Sequence, residues 1–277
     1  IGRSHMALRI NYNLAASVAQ RSLSASQDNY SKQAERLSTG LRINKAGDDA
    51  AGLAVSERLK NQVRGLNQAT RNSQDAISLI QTAEGALNET HSILARMREL
   101  AVQASNDTLT VSDRTNINAE YTQLSAEVTR ISTATQYNGI ALLGATANLT
   151  FQIGANNGDT LVLATPNASG TTLGLGNTAD LLTQVNASAA ISNLDTAINT
   201  VSTDRASLGA LQNRLESVGR SLQIASENTS AANSRIADAD VAASMSELVR
   251  SQILQQAGIS VLAQANQAPN LVLQLLK

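Results

Sequence analysis

The sequence predicts a mainly α protein: a long antiparallel helical bundle or coiled-coil rod with a small β-hairpin region and a terminal helix pair. The first observation is a seam of small and apolar residues in three-four alternation. It runs through Ala69, Ala76, Ile80, Ala83, Leu87, Leu94, Met97, Ala101 and Ala104, with Ser73 and Thr90 as its polar members, which is the heptad signature of a helix packed along its length. The second is composition: aromatics are 2% of 277 residues and Pro occurs twice, so a core must be built from closely spaced Ala, Leu, Ile and Val. The third is that seven of the sixteen glycines fall between Gly139 and Gly176. They confine turns to one region.

From Asn13 to Leu41 the positions Leu14, Val18, Leu23, Tyr30, Ala34, Leu37 and Leu41 keep helical spacing and predict a first helix. Gly40, Gly47, Asp48 and Asp49 then mark a hinge, with both aspartates placed to cap the helix that follows. The second helix, Gly52 to Ser105, would be about 80 Å long. Its only weak points are Gly65 and Gly85. Turn-favouring Asn106, Asp107 and Thr108 end it. Ser112 or Asp113 is expected to cap a third helix, which folds back through Ile117, Tyr121, Leu124, Val128 and Ile131.

Leu149, Phe151 and Ile153 alternate with polar residues, and Leu161 to Leu163 follow a turn-forming run, so this region reads as a hairpin or small sheet. After a loop from Pro166 to Asp180, helical spacing resumes from Ala187 through Ile191, Leu194, Val201, Leu208, Leu215 and Leu222. That helix is the expected partner of the second. Asp238 and Asp240 mark a second hinge before a last helix carrying Val241, Met245, Leu248, Ile253, Leu254, Val261 and Leu262. Gly258 and Pro269 qualify it near its end.

The division into domains follows. Residues 1–6, IGRSHM, are read as a cloning scar. Residues 7–48 with 238–277 form a discontinuous terminal pair, and 49–237 form a helical rod with its β region at about 138–182. Each terminal helix is amphipathic and light in charge, so neither buries its apolar face alone. Apolar faces left open on such an element predict self-association, and association that does not close on itself gives filaments.

The same residues exclude most chemistry. There is no Cys, and the two histidines are His5 and His91, so neither thiolate chemistry nor a converging metal or nucleophile set is available. No catalytic residue, cofactor or metal is expected. A formal charge of −1 without a basic stripe argues against nucleic acid. No apolar run is long enough to span a bilayer or to resemble a signal peptide, so membrane insertion and a cleaved signal are not expected.

Several strings resemble bacterial flagellin: LSTGLRIN from Leu37 to Asn44, DDAAG from Asp48 to Gly52, RELAVQ from Arg98 to Gln103 and QYNG from Gln136 to Gly139. So do LGALQNR from Leu208 to Arg214, QQAG from Gln255 to Gly258 and VLAQANQAP from Val261 to Pro269. They span nearly the whole chain in order. The resemblance is to a minimal flagellin lacking the variable outer domains, with Ala237 standing where the family commonly has an acid. The hook-filament junction protein is the nearest alternative, and the strings at Arg98 and Leu208 favour flagellin over it.

What the resemblance implies is a subunit that polymerises with itself into the extracellular flagellar filament for motility. It also implies unfolded type III export without a cleaved signal, a chaperone at the C-terminal helix, and contacts with filament cap and hook-junction proteins. The family is read by the vertebrate Toll-like receptor for flagellin, and the matching positions are Arg96, Leu100 and Glu120. Arg96 and Leu100 lie four apart, so a common exposed face is expected.

Overall fold

The structure is a computed structural model and describes residues 12–175 and 180–275, with side chains described through Gln267. Its elements in order are α1 (Leu14–Thr39), α2 (Ala50–Ala104), α3 (Val111–Ala134), β1 (Gln136–Tyr137), β2 (Ile140–Ala141), β3 (Asn148–Gln152), β4 (Thr160–Ala164), α4 (Gln184–Ala237) and α5 (Val241–Leu275). The chain divides into two compact units, 1–61 with 229–277 and 62–228. The aspartate-marked joints belong with the terminal helices.

In the 62–228 unit, α2 and α4 lie antiparallel. Asn67 accepts from Ser226, Glu84 from Arg205 and Asp195 from Arg98, so partners on α4 fall in number as those on α2 rise. The α2 seam is dry: each of its members from Ala69 to Ala104 is 2% exposed or less, Ser73 and Thr90 included. Facing it on α4 are Ala187, Ala190, Leu194, Ala197, Val201, Leu208 and Leu215, all buried. Small residues alternate with Leu on both helices, which lets the backbones approach while the leucines interdigitate.

α3 folds back on this pair and buries Tyr121 and Val128. Its cap is Thr110, whose hydroxyl accepts from the Asp113 amide while the Asp113 carboxylate accepts from the Thr110 amide. Asp113 is therefore the third residue of a capping box, which corrects the expected cap at Ser112 or Asp113. The Arg114 guanidinium then donates to the carbonyls of Ala104 and Asn106, satisfying the end of α2.

Two hairpins follow. β1 and β2 pair across Asn138 and Gly139, whose φ angles of 50° and 79° put both turn residues in the left-handed region. This is the Asn-Gly hairpin turn. β3 and β4 pair with Leu149 opposite Leu163 and Phe151 opposite Leu161, and this inner face joins the core. The segment after Pro166 is not an open loop, because it buries Ala168, Leu173 and Leu175.

In the other unit α1 and α5 pair antiparallel. The Asn13 side-chain amide donates to the Ala265 carbonyl (2.7 Å), and the Ser26 hydroxyl donates to the Ser251 carbonyl (3.0 Å). The buried residues between them are small: Ala19, Ser26, Ser244 and Ser251. α5 continues through Gly258, where a Cβ would sit 3.4 Å from Leu23 on α1.

Candidate functional site

The joint between α1 and α2 is built on Gly40, Asp48 and Asp49. Gly40 ends α1 in the left-handed region (φ 71°) and donates to the Arg36 carbonyl, a backbone shape that glycine adopts without a Cβ penalty. The turned chain then pairs with the segment between α4 and α5. Leu41 bridges to Asp238, the Arg42 amide donates to Ala237 (2.7 Å), and the Ala239 amide donates to Gly40 (2.9 Å). The Arg42 guanidinium adds two bonds to the Ile236 carbonyl, from Nε at 3.2 Å and Nη2 at 2.6 Å. A cation there suits the negative end of α4.

The two pairs of aspartates divide their work alike. Asp49 accepts from the Gly52 amide (2.8 Å) and Asp240 from the Ala243 amide (3.0 Å), and these two are the helix caps. Asp48 is not a cap, contrary to expectation. Its carboxylate accepts from the amides of Asn44 and Lys45 and pairs with Lys32 at 2.9 Å, which lowers its pKa to about 2, the Lys32 bond contributing most. Asp238 accepts from the Ser234 hydroxyl. Gly52 is needed because a Cβ there would meet the Asp49 carboxylate and Ile43 Cδ1. Gly47 has no positive φ and open space around it, so nothing local demands glycine.

The second feature is what the terminal pair leaves uncovered. On α5, Val241, Met245, Val249 and Ile253 follow at four-residue steps, and with Leu254, Ile259 and Val261 they are between 46 and 60% exposed. On α1, Leu14 and Val18 are likewise exposed, as is Tyr12 just before the helix, at the end where Asn13 meets Ala265. From Ser251 to Leu276 the chain carries no charged residue. A run of exposed apolar side chains of this kind marks an interaction surface.

The third feature is the surface at Arg96. The guanidinium bonds to Glu120 on α3 (3.0 Å) and to Glu99 (3.0 Å), and these carboxylates raise its pKa, Glu99 most. Arg96 and Glu120 are thus together and exposed. Leu100 is 2% exposed and belongs to the core, so the expected exposed face of Arg96 with Leu100 does not form. The four-residue spacing is right, but Leu100 packs into the core cluster.

Sequence reasoning passed over Arg42, Lys32 and Thr110. Arg42 finds its carbonyl 194 residues away, which no local pattern reveals. Thr110 with Asp113 was legible as a capping box. Among the described residues no group of His, Asp and Glu could hold a metal ion, and no helix is long and apolar enough to cross a membrane.

A chain that combines a bundle with a finished core and a helix pair with open apolar faces has the features of a self-assembling structural subunit. Comparison with known proteins says which: residues 10–148 match the bacterial flagellin N-terminal helical region and residues 191–276 the bacterial flagellin C-terminal helical region. The chain is 50% identical over 270 residues to a flagellin of Halalkalibacterium halodurans, covering 97% of this chain and 99% of that one. It is 45% identical over 305 residues to a flagellin of Bacillus subtilis, covering 98% and 100%. The crystal structure of Bacillus cereus flagellin is similar with a TM-score of 0.51 and 35% identity, over 55% of this chain and 88% of that chain. The chain belongs to the bacterial flagellin family, and so is a structural subunit of the flagellar filament, outside the cell, and not an enzyme.

Proposed function

We propose that residues 7–48 with 238–277 form the filament core and that residues 49–237, with the β region at about 138–182, form an outer helical rod. What supports this reading is the exposed apolar stripe on α5, Val241, Met245, Val249 and Ile253, which remains after α1 and α5 have paired. These side chains are already about half buried, so each has roughly half of the about 1.5–3 kcal/mol of full burial still to contribute, and several per copy supply a driving force for joining a polymer. The test is sedimentation of the full chain seeded with short filament fragments. Removing Met6 to Gly40, or Asp240 to Lys277, should abolish growth and leave the remaining bundle folded by circular dichroism. Growth of either truncation would end the reading.

Before assembly the same α5 face requires cover, and we assign that to a dedicated export chaperone binding the C-terminal helix during type III export. Filament cap and hook-junction proteins would meet the same faces at the two ends of the polymer. Purified chaperone should protect α5 amides from hydrogen exchange, and protection confined to other helices would refute the assignment.

We also infer recognition by the Toll-like receptor for flagellin through Arg96 and Glu120, with Leu100 beneath them holding α2 against α3. The support is an exposed guanidinium locked to a carboxylate on the neighbouring helix, the type of rigid Arg anchor that dominates interfaces. Arg96→Ala with Glu120→Ala should cut receptor signalling while leaving the melting temperature within a few degrees. Undiminished signalling would remove the receptor from this account.

A further inference from the structure

The chain holds three methionines and neither Cys nor Trp, so thioether sulfur is its most readily oxidised group. The three methionines stand in unlike surroundings. Met97 lies in the α2 seam with 0% exposure, enclosed by the core of the 62–228 unit. Met6 lies outside the described residues. Met245 is 48% exposed near the start of α5, and an oxidant in water reaches it without any part of the chain unfolding.

Met245 also has a place in a pattern. It follows Val241 and precedes Val249 and Ile253 at four-residue steps, so the four lie along one side of the helix, all of them open to solvent. Its neighbour Ser244 is buried, so the boundary between paired and open surface passes between these two residues. The other three members of the stripe are β-branched and stiff at χ1, whereas Met245 is unbranched and flexible. It is the member best able to adapt its shape to a covering surface.

We propose that Met245 is an oxidation site of the free subunit and that its sulfoxide blocks filament growth until it is reduced. The step is a two-electron transfer from sulfur to hydrogen peroxide. The thioether sulfur attacks one peroxide oxygen, the S–O bond forms as the O–O bond breaks, and the departing hydroxide takes the remaining proton and leaves as water. Sulfur is oxidised and the peroxide reduced. The product is polar, and Val241, Val249 and Ile253 around it carry no side-chain donor. Covering the stripe would then bury an oxygen without a hydrogen bond, which is costly. In the free subunit that oxygen stays in water, so the effect is confined to assembly. The proposal rests on the reading of this stripe as a face buried in the filament core, and adds a chemical state that the subunit must keep in order to join.

The test treats the purified full chain with hydrogen peroxide and reads the site of oxygen addition by peptide mass mapping, the melting curve, and the critical concentration of seeded growth. Oxygen should add at Met245 and not at Met97, the melting curve should not move, and the critical concentration should rise by at least about tenfold. Methionine sulfoxide reductases acting on both epimers should restore growth. Met245→Leu, compared with its own untreated sample, should lose no growth on the same treatment, although it retains Met6 and Met97. Equal oxidation of Met97 in the folded monomer, unimpaired growth of chains oxidised at Met245, or an equal loss in treated Met245→Leu would overturn the proposal. So would failure of the reductases to restore growth, or a lowered melting curve, since the sulfoxide would then act on the fold of the subunit itself. Peroxide applied to finished filaments separates this proposal from the reading beneath it. Protection of Met245 there supports both. If Met245 in filaments oxidises as fast as in the monomer while oxidised monomers still do not grow, the filament-core reading fails and the oxidation block stands.

Discussion

The two units of this chain use similar residues in opposite ways. In the 62–228 unit Leu87, Leu94 and Met97 are fully buried, and what shows at the surface is mostly polar. In the terminal pair the helices touch through Ala19, Ser26, Ser244 and Ser251, while Val241, Met245, Val249 and Ile253 face outward. Three packed helices and a hairpin enclose a seam on every side. Two helices cannot, because a pair covers only one stripe of each. The first unit thus completes its own core, whereas the second leaves apolar side chains open, the faces that other copies would cover in the proposed filament core.

Substitutions at matched positions should separate the two, the largest effect coming from the seam. Leu94→Ala should cost about 2–5 kcal/mol, read by urea unfolding of the monomer. Val249→Ala should leave that transition nearly unchanged but weaken filament growth. A Val249→Ala monomer destabilised as much as Leu94→Ala would erase the distinction. Next comes the joint, where Gly52→Ala forces a Cβ against the Asp49 cap and Ile43. A lost cap costs about 1 kcal/mol, so hydrogen exchange of the first turn of α2 should quicken, with the exchange of α3 unchanged.

Acid provides a third probe. The folded Asp48 has its pKa lowered to about 2, chiefly by Lys32, from the usual 3.8. Its contribution is complete above about pH 4 and is lost as pH falls through about 2. Between those limits the joint should loosen, measured as protease cleavage near Lys45, before the bundle melts. In Asp48→Asn that acid-dependent component should be absent, with the joint already loosened at neutral pH. The smallest effect is expected at Tyr121, buried at 2% with a hydroxyl that has no partner and a pKa pushed up to about 12 by burial. Tyr121→Phe removes an unsatisfied polar atom and should leave stability unchanged or raise it by up to about 1 kcal/mol. A clear loss in thermal unfolding would point to a partner for the hydroxyl.

Much of the bundle was legible because its signals are local and periodic. Every residue assigned to the α2 seam is buried, and the polar members Ser73 and Thr90 were identified with it. The β3–β4 alternation likewise gave the correct inner face, with Leu161 and Leu163 buried. What escaped depends on contacts distant in sequence. Asp48 and Asp49 look equivalent in the chain, yet one caps α2 and the other binds Lys32, because only one carboxylate can reach the first free amides of the helix. Leu100 looked like a surface neighbour of Arg96, yet it is buried in the core because segments distant in sequence close over it. The Asn138-Gly139 turn was an available signal that was not used.

The amino-acid order by itself determined the helices, the seam that α2 buries, the strand alternation and the absence of machinery for catalysis, since each depends on spacing within a few residues or on composition. Only the tertiary structure decided which apolar faces are finished and which stay open, which aspartate caps and which clamps, and that Arg42 holds the end of α4. Those outcomes depend on which segments approach across one to two hundred residues. A side chain at the surface of its own helix is buried or exposed according to the neighbour that folding brings to it.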